Sequence, residues 1–192
     1  MVTKHKFILA SGSPRRRELL AMLDVDFTVD TSRPVDEVVP DGLSAEEVPA
    51  YLSCLKAQPW IDTLQNGQVL VTADTVVILD GEVIGKPRDE DDARAILTRL
   101  QGRTHTVTTG VTIVIAGRQP HTFSETTEVE FAPLTAEEIN YYVCRYRPLD
   151  KAGAYGIQEW IGAVAVKGMR GSFYNVMGLP VNRLYRELKS IL

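Results

Sequence analysis

The sequence predicts an α/β fold in which helices flank a mixed β-sheet, and three observations support this prediction. Apolar runs of strand length alternate with segments of helical periodicity. Two of these runs meet at Asp80-Gly81, a dipeptide typical of hairpin turns, so part of the sheet must be antiparallel. The 192 residues are 44% hydrophobic, enough for a substantial core. We therefore expect a single domain over residues 1–192.

The amino-terminal part predicts two strands and two helices. Ser13 is a good N-cap and Pro14 suits the first helical position. Ser44 and Glu47 have the spacing of a capping box, which predicts a second helix start. The predicted elements are strands 6–10 and 25–29, a helix from Pro14 to about Leu23, and a helix that begins near Ser44.

The rest of the chain continues the alternation after the hairpin at Asp80-Gly81. Thr135 and Glu138 form a second capping-box pattern before an apolar run. The predicted elements are a helix over 89–100, strands 104–116 and 123–131, a helix capped by Thr135, a glycine-rich stretch, further strands, and a helix over 180–188.

Composition argues against several classes of protein. The net charge of −4 gives no general basic surface, so we expect no nucleic-acid partner. No apolar stretch reaches the roughly 18–20 residues that span a bilayer, and the amino terminus lacks signal-peptide character, so we expect no membrane. Cys54 and Cys144 lack CxxC spacing, which favours free thiols in the cytoplasm. The three histidines contain no i, i+4 pair, which disfavours a histidine zinc site.

Three arginines follow Pro14 at the start of the first predicted helix. Arg15, Arg16 and Arg17 would lie beside the positive end of the helix dipole, where a cation costs about 0.3–1 kcal/mol. A bound anion would explain them, because backbone amides, serine hydroxyls such as that of Ser11, and guanidinium groups together bind phosphate. For any single arginine the alternative is a solvated side chain or an ion pair with a nearby acid.

Asp74 lies inside the most apolar predicted strand, where aspartate is unfavourable. Such a carboxylate is either structural, at a bulge or strand end, or acts as a metal ligand or proton acceptor. Asp36 and Glu37 would join a metal site only if the fold brings them to Asp74. Lys56 and Lys86 are, by themselves, ordinary surface lysines.

The segment Asp150–Trp160 is rich in glycine and contains one glutamine, Gln158. Glycine allows close backbone approach, and a glutamine amide offers both a donor and an acceptor. This combination suits the polar edge of a nucleotide base, but a tight turn explains the glycines equally well, so both interpretations stay open.

Together, these segments resemble the Maf family, also described as septum-formation inhibitor proteins. The matching motifs follow the family's order along nearly the whole chain: ASGSPRR (10–16), ADTVV (73–77), GKP (85–87), GRTHTV (102–107), DKAGAYGIQ (150–158) and MGLP (177–180).

The resemblance implies a mixed-sheet fold similar to the inosine triphosphate pyrophosphatases, with substrate held in a cleft between two lobes. It implies a cytoplasmic, often homodimeric enzyme that hydrolyses nucleoside triphosphates between the α and β phosphates, with Mg²⁺ or Mn²⁺ as cofactor. The YGIQ run resembles the branch that acts on dTTP and UTP. The alternatives are the same chemistry on 7-methyl-GTP or modified nucleotides, and a nucleotide-sensing regulator of cell division.

The resemblance also implies roles for particular residues. Asp74 would be the proton acceptor or metal-linked base, with either Asp36 or Glu37 as the second acid at the metal. Substrate would contact Ser11, Arg15, Arg16, Lys56, Thr75, Lys86 and Gln158, of which Arg15, Thr75 and Gln158 would govern substrate choice. The chain departs from the family pattern at Glu159 and Trp160, where glycine is expected.

Overall fold

A computed structural model describes residues 4–189 of the chain. In this range the strands are β1 (Lys6–Leu9), β2 (Phe27–Val29), β3 (Gln68–Leu79), β4 (Glu82–Ile84), β5 (Thr104–Ile115), β6 (His121–Phe131) and β7 (Val166–Arg170). The helices are α1 (Pro14–Ala21), α2 (Val48–Ala57), α3 (Glu90–Leu100), α4 (Ala136–Tyr146), α5 (Trp160–Ala165), α6 (Phe173–Met177) and α7 (Val181–Leu188), with 3₁₀ turns at 58–63 and 152–154.

The strands form one mixed sheet in the order β2-β1-β3-β5-β6-β7, with β4 paired to β3. β1 is parallel to both of its neighbours, whereas β4 is antiparallel to β3 and β7 is antiparallel to β6. The mixed α/β fold predicted from the sequence is confirmed. None of the helices between residues 4 and 189 has both the length and the apolar character needed to cross a bilayer.

The chain divides into two compact units. The first unit comprises the segments up to Asp74, Thr109–Glu125 and from Gly178 onward, and the second comprises Thr75–Thr108 and Thr126–Met177. β3, β5 and β6 each contribute residues to both units.

Apolar packing of the first unit places α2 and the following 3₁₀ turn against the sheet. Ala57 and Trp60 pack on Ile8, Leu70 and Val114 of three neighbouring strands, and all five are buried. Burial of a large apolar side chain contributes about 1.5–3 kcal/mol, so this cluster fixes α2 on β3 and β5. Because α2 carries Lys56 and β3 carries Asp74, the same packing positions two of the predicted site residues.

The second unit has its own apolar core, built from α3, α4, the hairpin of β3 and β4, and α5. Leu97, Tyr142, Phe131 and Ile161 are among its most deeply buried members. The hairpin turns at Asp80-Gly81, where both residues have positive φ (54° and 79°), as a type I′ turn requires. The predicted hairpin and the capping box of Thr135 and Glu138 are confirmed.

The predicted start of α2 near Ser44 is wrong. Ser44 does bond to Glu47, through its amide and its hydroxyl, but residues 45–47 form a turn and the helix begins at Val48. Pro49 explains the difference. Proline has no amide hydrogen and fits only the first turn of a helix, so a start at Ser44 would place it in the interior at a cost of about 3 kcal/mol.

The predicted succession of strands after the glycine-rich stretch is also wrong. One strand, β7, lies there between two short helices, α5 and α6. These helices have six and five residues, and α5 contains Gly162, so neither has a strong local signal.

Candidate active site

The loop from Ser11 to Ser13 is ordered by hydrogen bonds to its own hydroxyl groups. Ser13 caps α1, since its Oγ accepts from the Arg16 amide (3.4 Å), as the sequence predicts. The Ser11 Oγ accepts from the Ser13 amide (3.3 Å) and from Arg16 Nη1 (3.4 Å). The loop therefore gathers two hydroxyl groups, a guanidinium and the start of a helix, all of which attract anions.

Arg16 extends from α1 towards the carboxyl-terminal segment of the first unit. Its Nε donates a 2.9 Å hydrogen bond to the Gly178 carbonyl oxygen. Burial lowers the pKa of Arg16 below its ordinary value, Asp74 and Glu37 oppose this decrease, and Arg15 adds to it. The electrostatic coupling places the guanidinium groups of α1 and the two carboxylates in one neighbourhood within the first unit.

The centre of the site is an ammonium group between two carboxylates. Lys56 Nζ lies 2.6 Å from Asp74 Oδ1 and 2.9 Å from Glu37 Oε2. The side chains of Lys56 and Asp74 are only 18% and 14% exposed, whereas that of Glu37 is 48% exposed. From Val69 to Leu79, β3 is buried except at Asp74 and Thr75, so this part of the strand is accessible to solvent where the predicted functional residues lie.

Buried hydroxyl groups hold α2 in register with the sheet and thereby position Lys56. Ser53 lies one turn before Lys56, and its Oγ is 2.9 Å from Thr112 Oγ1 on β5. Thr72, two residues before Asp74 on the same face of β3, donates a 2.7 Å hydrogen bond to the Ser53 carbonyl. A hydrogen bond therefore joins α2 to β3 two residues before Asp74 and three residues before Lys56.

Gly110 on β5 allows the start of α2 to approach the sheet closely. A Cβ at this position would lie 2.2 Å from the Pro49 carbonyl oxygen and 2.3 Å from the Ala50 amide nitrogen. Any other residue at 110 would displace the helix that carries Lys56.

The two carboxylates are suitable ligands for a hard divalent cation. Asp74 and Glu37 both have an oxygen within 3 Å of one nitrogen, so their oxygens face the same small space. Among residues 4–189 no group of three or more His, Cys, Asp or Glu side chains could hold a metal ion. Mg²⁺ is commonly held by one or two carboxylates together with substrate phosphates, and the donor set here fits that pattern.

The remaining predicted site residues differ in their exposure and in the unit to which they belong. Asp36 is exposed, and Glu37 is the acid of this pair that reaches Lys56. Thr75 follows Asp74 on β3 and is partly buried, whereas Lys86 and Gln158 are exposed residues of the second unit.

The sequence-based prediction assigned no role to Gly178, Ser53 or Gly110. Gly178 has φ of +120°, a conformation that favours glycine, and its carbonyl accepts from Arg16. The MGLP motif contains this glycine and was the only sequence signal for it. The roles of Ser53 and Gly110 depend on contacts between distant segments, for which no local signal exists.

Comparisons with known proteins find a matching family and similar relatives. The family model described as Maf-like protein matches residues 6–191. A relative from Phocaeicola vulgatus, named dTTP/UTP pyrophosphatase, is 54% identical over 188 residues, which cover 98% of this chain and 97% of the relative. A relative from Bacteroides thetaiotaomicron with the same name is 50% identical, with coverage of 98% and 97%.

Solved structures support the fold. The Ham1 protein of Staphylococcus aureus has a TM-score of 0.57 at 16% identity, covering 96% of this chain and 98% of that one. A HAM1 protein from Coxiella burnetii has a TM-score of 0.50 at 16% identity, with coverage of 97% and 99%. At this identity the likeness concerns the fold alone. The family model spans nearly all of the chain and the relatives are about half identical, so the chain belongs to the Maf family.

Proposed function

We propose that this chain is a nucleoside triphosphate pyrophosphatase that hydrolyses dTTP and UTP to the monophosphate and pyrophosphate. The observation that carries the proposal is the cluster in the first unit in which Arg16 is electrostatically coupled to Asp74 and Glu37, and Lys56 contacts the same two carboxylates. A triphosphate needs several cations beside a group that can activate water, and this cluster supplies both. The two relatives above share the name dTTP/UTP pyrophosphatase, which supports dTTP and UTP over 7-methyl-GTP as substrates.

In the proposed reaction, Arg15, Arg16 and Lys56 neutralise phosphate oxygens, and backbone amides of the loop from Ser11 to Ser13 donate hydrogen bonds to the phosphates. Asp74 orients a water molecule towards the α-phosphorus and accepts its proton. The bond between the α-phosphorus and the bridging oxygen breaks, and pyrophosphate leaves. Asp74 and Glu37 would hold a divalent cation, Mg²⁺ or Mn²⁺, whose charge would further neutralise the phosphates.

Gln158 is proposed to contact the base. It is exposed, and its amide can donate to O4 and accept from N3–H of uracil or thymine. We also propose a cytoplasmic location, which the absence of a disulfide at Cys54 and Cys144 supports.

The proposal is tested by identifying the products. Purified protein is incubated with a panel of nucleoside triphosphates and Mg²⁺ or Mn²⁺ in ¹⁸O-labelled water. We expect pyrophosphate and a monophosphate that carries the label, with dTTP and UTP hydrolysed fastest. Orthophosphate with a diphosphate would contradict the proposal, and so would label in the pyrophosphate.

Asp74→Asn tests the role of the carboxylate. We expect turnover to fall about 10²–10⁴-fold while the fold is retained, because the amide keeps the size but accepts no proton. Asp80→Asn is the matched control, since Asp80 lies just beyond the end of the same strand and is exposed beside Arg103. Equal activity of the two variants would remove Asp74 from the mechanism.

A further inference from the structure

A cluster of buried charged and polar side chains lies next to the segment that carries Gln158. The Glu159 carboxylate accepts a hydrogen bond from the Tyr142 hydroxyl and lies 3.2 Å from Lys151 Nζ. Tyr142 is fully buried, and the side chains of Lys151 and Glu159 are 10% and 19% exposed. Lys151 also contacts Asp150, at 2.7 Å. The mechanism proposed above uses none of these groups.

Stability alone does not explain this cluster. Burying an ion pair costs desolvation energy that the attraction between the charges largely offsets, and apolar residues often serve stability equally well. The hydrogen bonds of Glu159 have a structural consequence that an apolar residue at this position would not provide.

That consequence is a fixed turn at residues 156–159. The Tyr142 hydroxyl, which donates to Glu159, accepts a 3.0 Å hydrogen bond from the Gly156 amide. The Glu159 amide in turn donates to the Gly156 carbonyl, at 2.9 Å. A Cβ on Gly156 would lie 2.8 Å from the Glu159 carboxylate carbon, so the two ends of the turn are in direct contact.

The residue before Gln158 is fixed as well. Ile157 is buried, and a Cβ on Gly162 would lie 1.7 Å from the Ile157 carbonyl oxygen. Gln158 is thus an exposed side chain between two residues, Ile157 and Glu159, that are both held in place.

We infer that Glu159 is a positioning residue for Gln158: held by Tyr142 and Lys151, it fixes the direction in which the Gln158 amide meets a pyrimidine base. The inference rests on the proposed function. Uracil and thymine present a donor at N3 and an acceptor at O4, whereas cytosine presents an acceptor at N3 and an amino donor. A fixed amide distinguishes these patterns, while a mobile one rotates to suit either base.

The test compares selectivity for UTP over CTP in the wild type, Glu159→Gln and Tyr142→Phe. Glu159→Gln keeps the shape but removes the charge that holds Lys151, and Tyr142→Phe removes the hydroxyl that joins Gly156 to Glu159. We expect the ratio of kcat/KM for UTP to that for CTP to fall about 10-fold in both variants. The fall should arise from a higher KM for UTP, with kcat changed less than about 2-fold.

Glu130→Gln is the matched control. Glu130 also pairs with a lysine of the second unit, Lys167 at 2.7 Å, but both side chains are largely exposed (46% and 65%). The same substitution there should leave the UTP to CTP ratio unchanged.

Several outcomes would decide against the inference. A lower melting temperature with unchanged selectivity in Glu159→Gln would show a purely structural role. If Glu159→Gln does not fold, Tyr142→Phe alone decides, and wild-type selectivity in that variant would overturn the inference.

Calorimetric measurement of UMP and CMP binding gives a second test that needs no turnover, and we expect both variants to lose the preference for UMP. A wild-type protein that releases no pyrophosphate would refute the proposed function, whereas active variants of unchanged selectivity would refute only the role of Glu159.

Discussion

Lys56→Met removes the ammonium group that Asp74 and Glu37 share. Breaking a fully buried ion pair costs about 3–5 kcal/mol, whereas an exposed pair contributes about 0–1 kcal/mol. Lys56 is 18% exposed, and its two partners are 14% and 48% exposed, which places this cluster between the two cases. We expect the free energy of unfolding to fall by about 2 kcal/mol, which lowers Tm by about 4–8 °C in a chain of this length.

Differential scanning calorimetry and steady-state kinetics with UTP measure the two effects of this substitution. Turnover should fall about 10²–10³-fold, because Lys56 supplies positive charge where the phosphates are proposed to bind. Lys167→Met is the control, since its 2.7 Å pair with Glu130 is largely exposed and should change Tm by less than about 2 °C. If Lys56→Met matched Lys167→Met in both measurements, the reasoning about the cluster would be refuted.

Three further predictions concern the metal, the position of α2 and the effect of pH. Glu37→Gln should reduce the rise in Tm that Mn²⁺ produces, whereas Asp36→Asn, at the neighbouring acid, should leave that rise unchanged. An equal Mn²⁺-induced rise in Tm in both variants would exclude Glu37 as a ligand. Gly110→Ala should lower the free energy of unfolding by about 1–3 kcal/mol in urea titrations and reduce turnover, because a Cβ there meets α2. Gly85→Ala is the control: a Cβ at residue 85 has no atom within 4 Å, so stability should stay nearly unchanged. Burial lowers the pKa of His105 to about 4, so the unfolded chain binds a proton between about pH 6.5 and pH 4 that the folded chain does not. The free energy of unfolding is therefore highest above pH 6.5 and falls by about 3 kcal/mol as the pH decreases to 4. Urea titrations of His105→Gln should lack this part of the pH dependence, and a pH dependence identical to that of the wild type would contradict the assignment.

Features with a local cause were predictable from the sequence. The turn at Asp80-Gly81 and the caps at Ser13 and Thr135 each depend on a few adjacent residues, and the structure has all three. The start of α2 was predicted wrongly because the signal from Ser44 competes with that from Pro49, and the proline is the stronger constraint on a helix.

The partner of Asp74 was not predictable by local reasoning. Lys56 precedes it by 18 residues and has no distinguishing pattern of its own. Its position depends on Gly110 and on the hydroxyl contact of Ser53 with Thr112, which joins residues 59 positions apart. Sequence reasoning identified Asp74 as anomalous, because a carboxylate in an apolar strand needs a partner, but only the fold supplies that partner.

The choice between Asp36 and Glu37 shows a similar limit. Asp36 and Glu37 lie in an irregular segment between β2 and α2. A sequence without regular periodicity gives no register from which to choose. In the structure Glu37, although 48% exposed, is the acid of this pair whose carboxylate contacts Lys56, and its role as a metal ligand stays a proposal.

The arginines at the start of α1 divide into different roles, although the sequence presents them as one cluster. Arg16 is already engaged by Ser11 and by the carbonyl of Gly178, and it is coupled to the carboxylates, so it organises the site before any phosphate binds. Arg17 is exposed and lines an open groove of about 810 Å³ along α1 and β2. The unfavourable placement of cations at a helix start is therefore offset in part by contacts 162 residues away. An anion is not needed to explain Arg16 alone. Arg15, Arg16 and Lys56 together bring three cations to the neighbourhood of Asp74 and Glu37, and this group of cations favours a highly charged ligand such as a triphosphate.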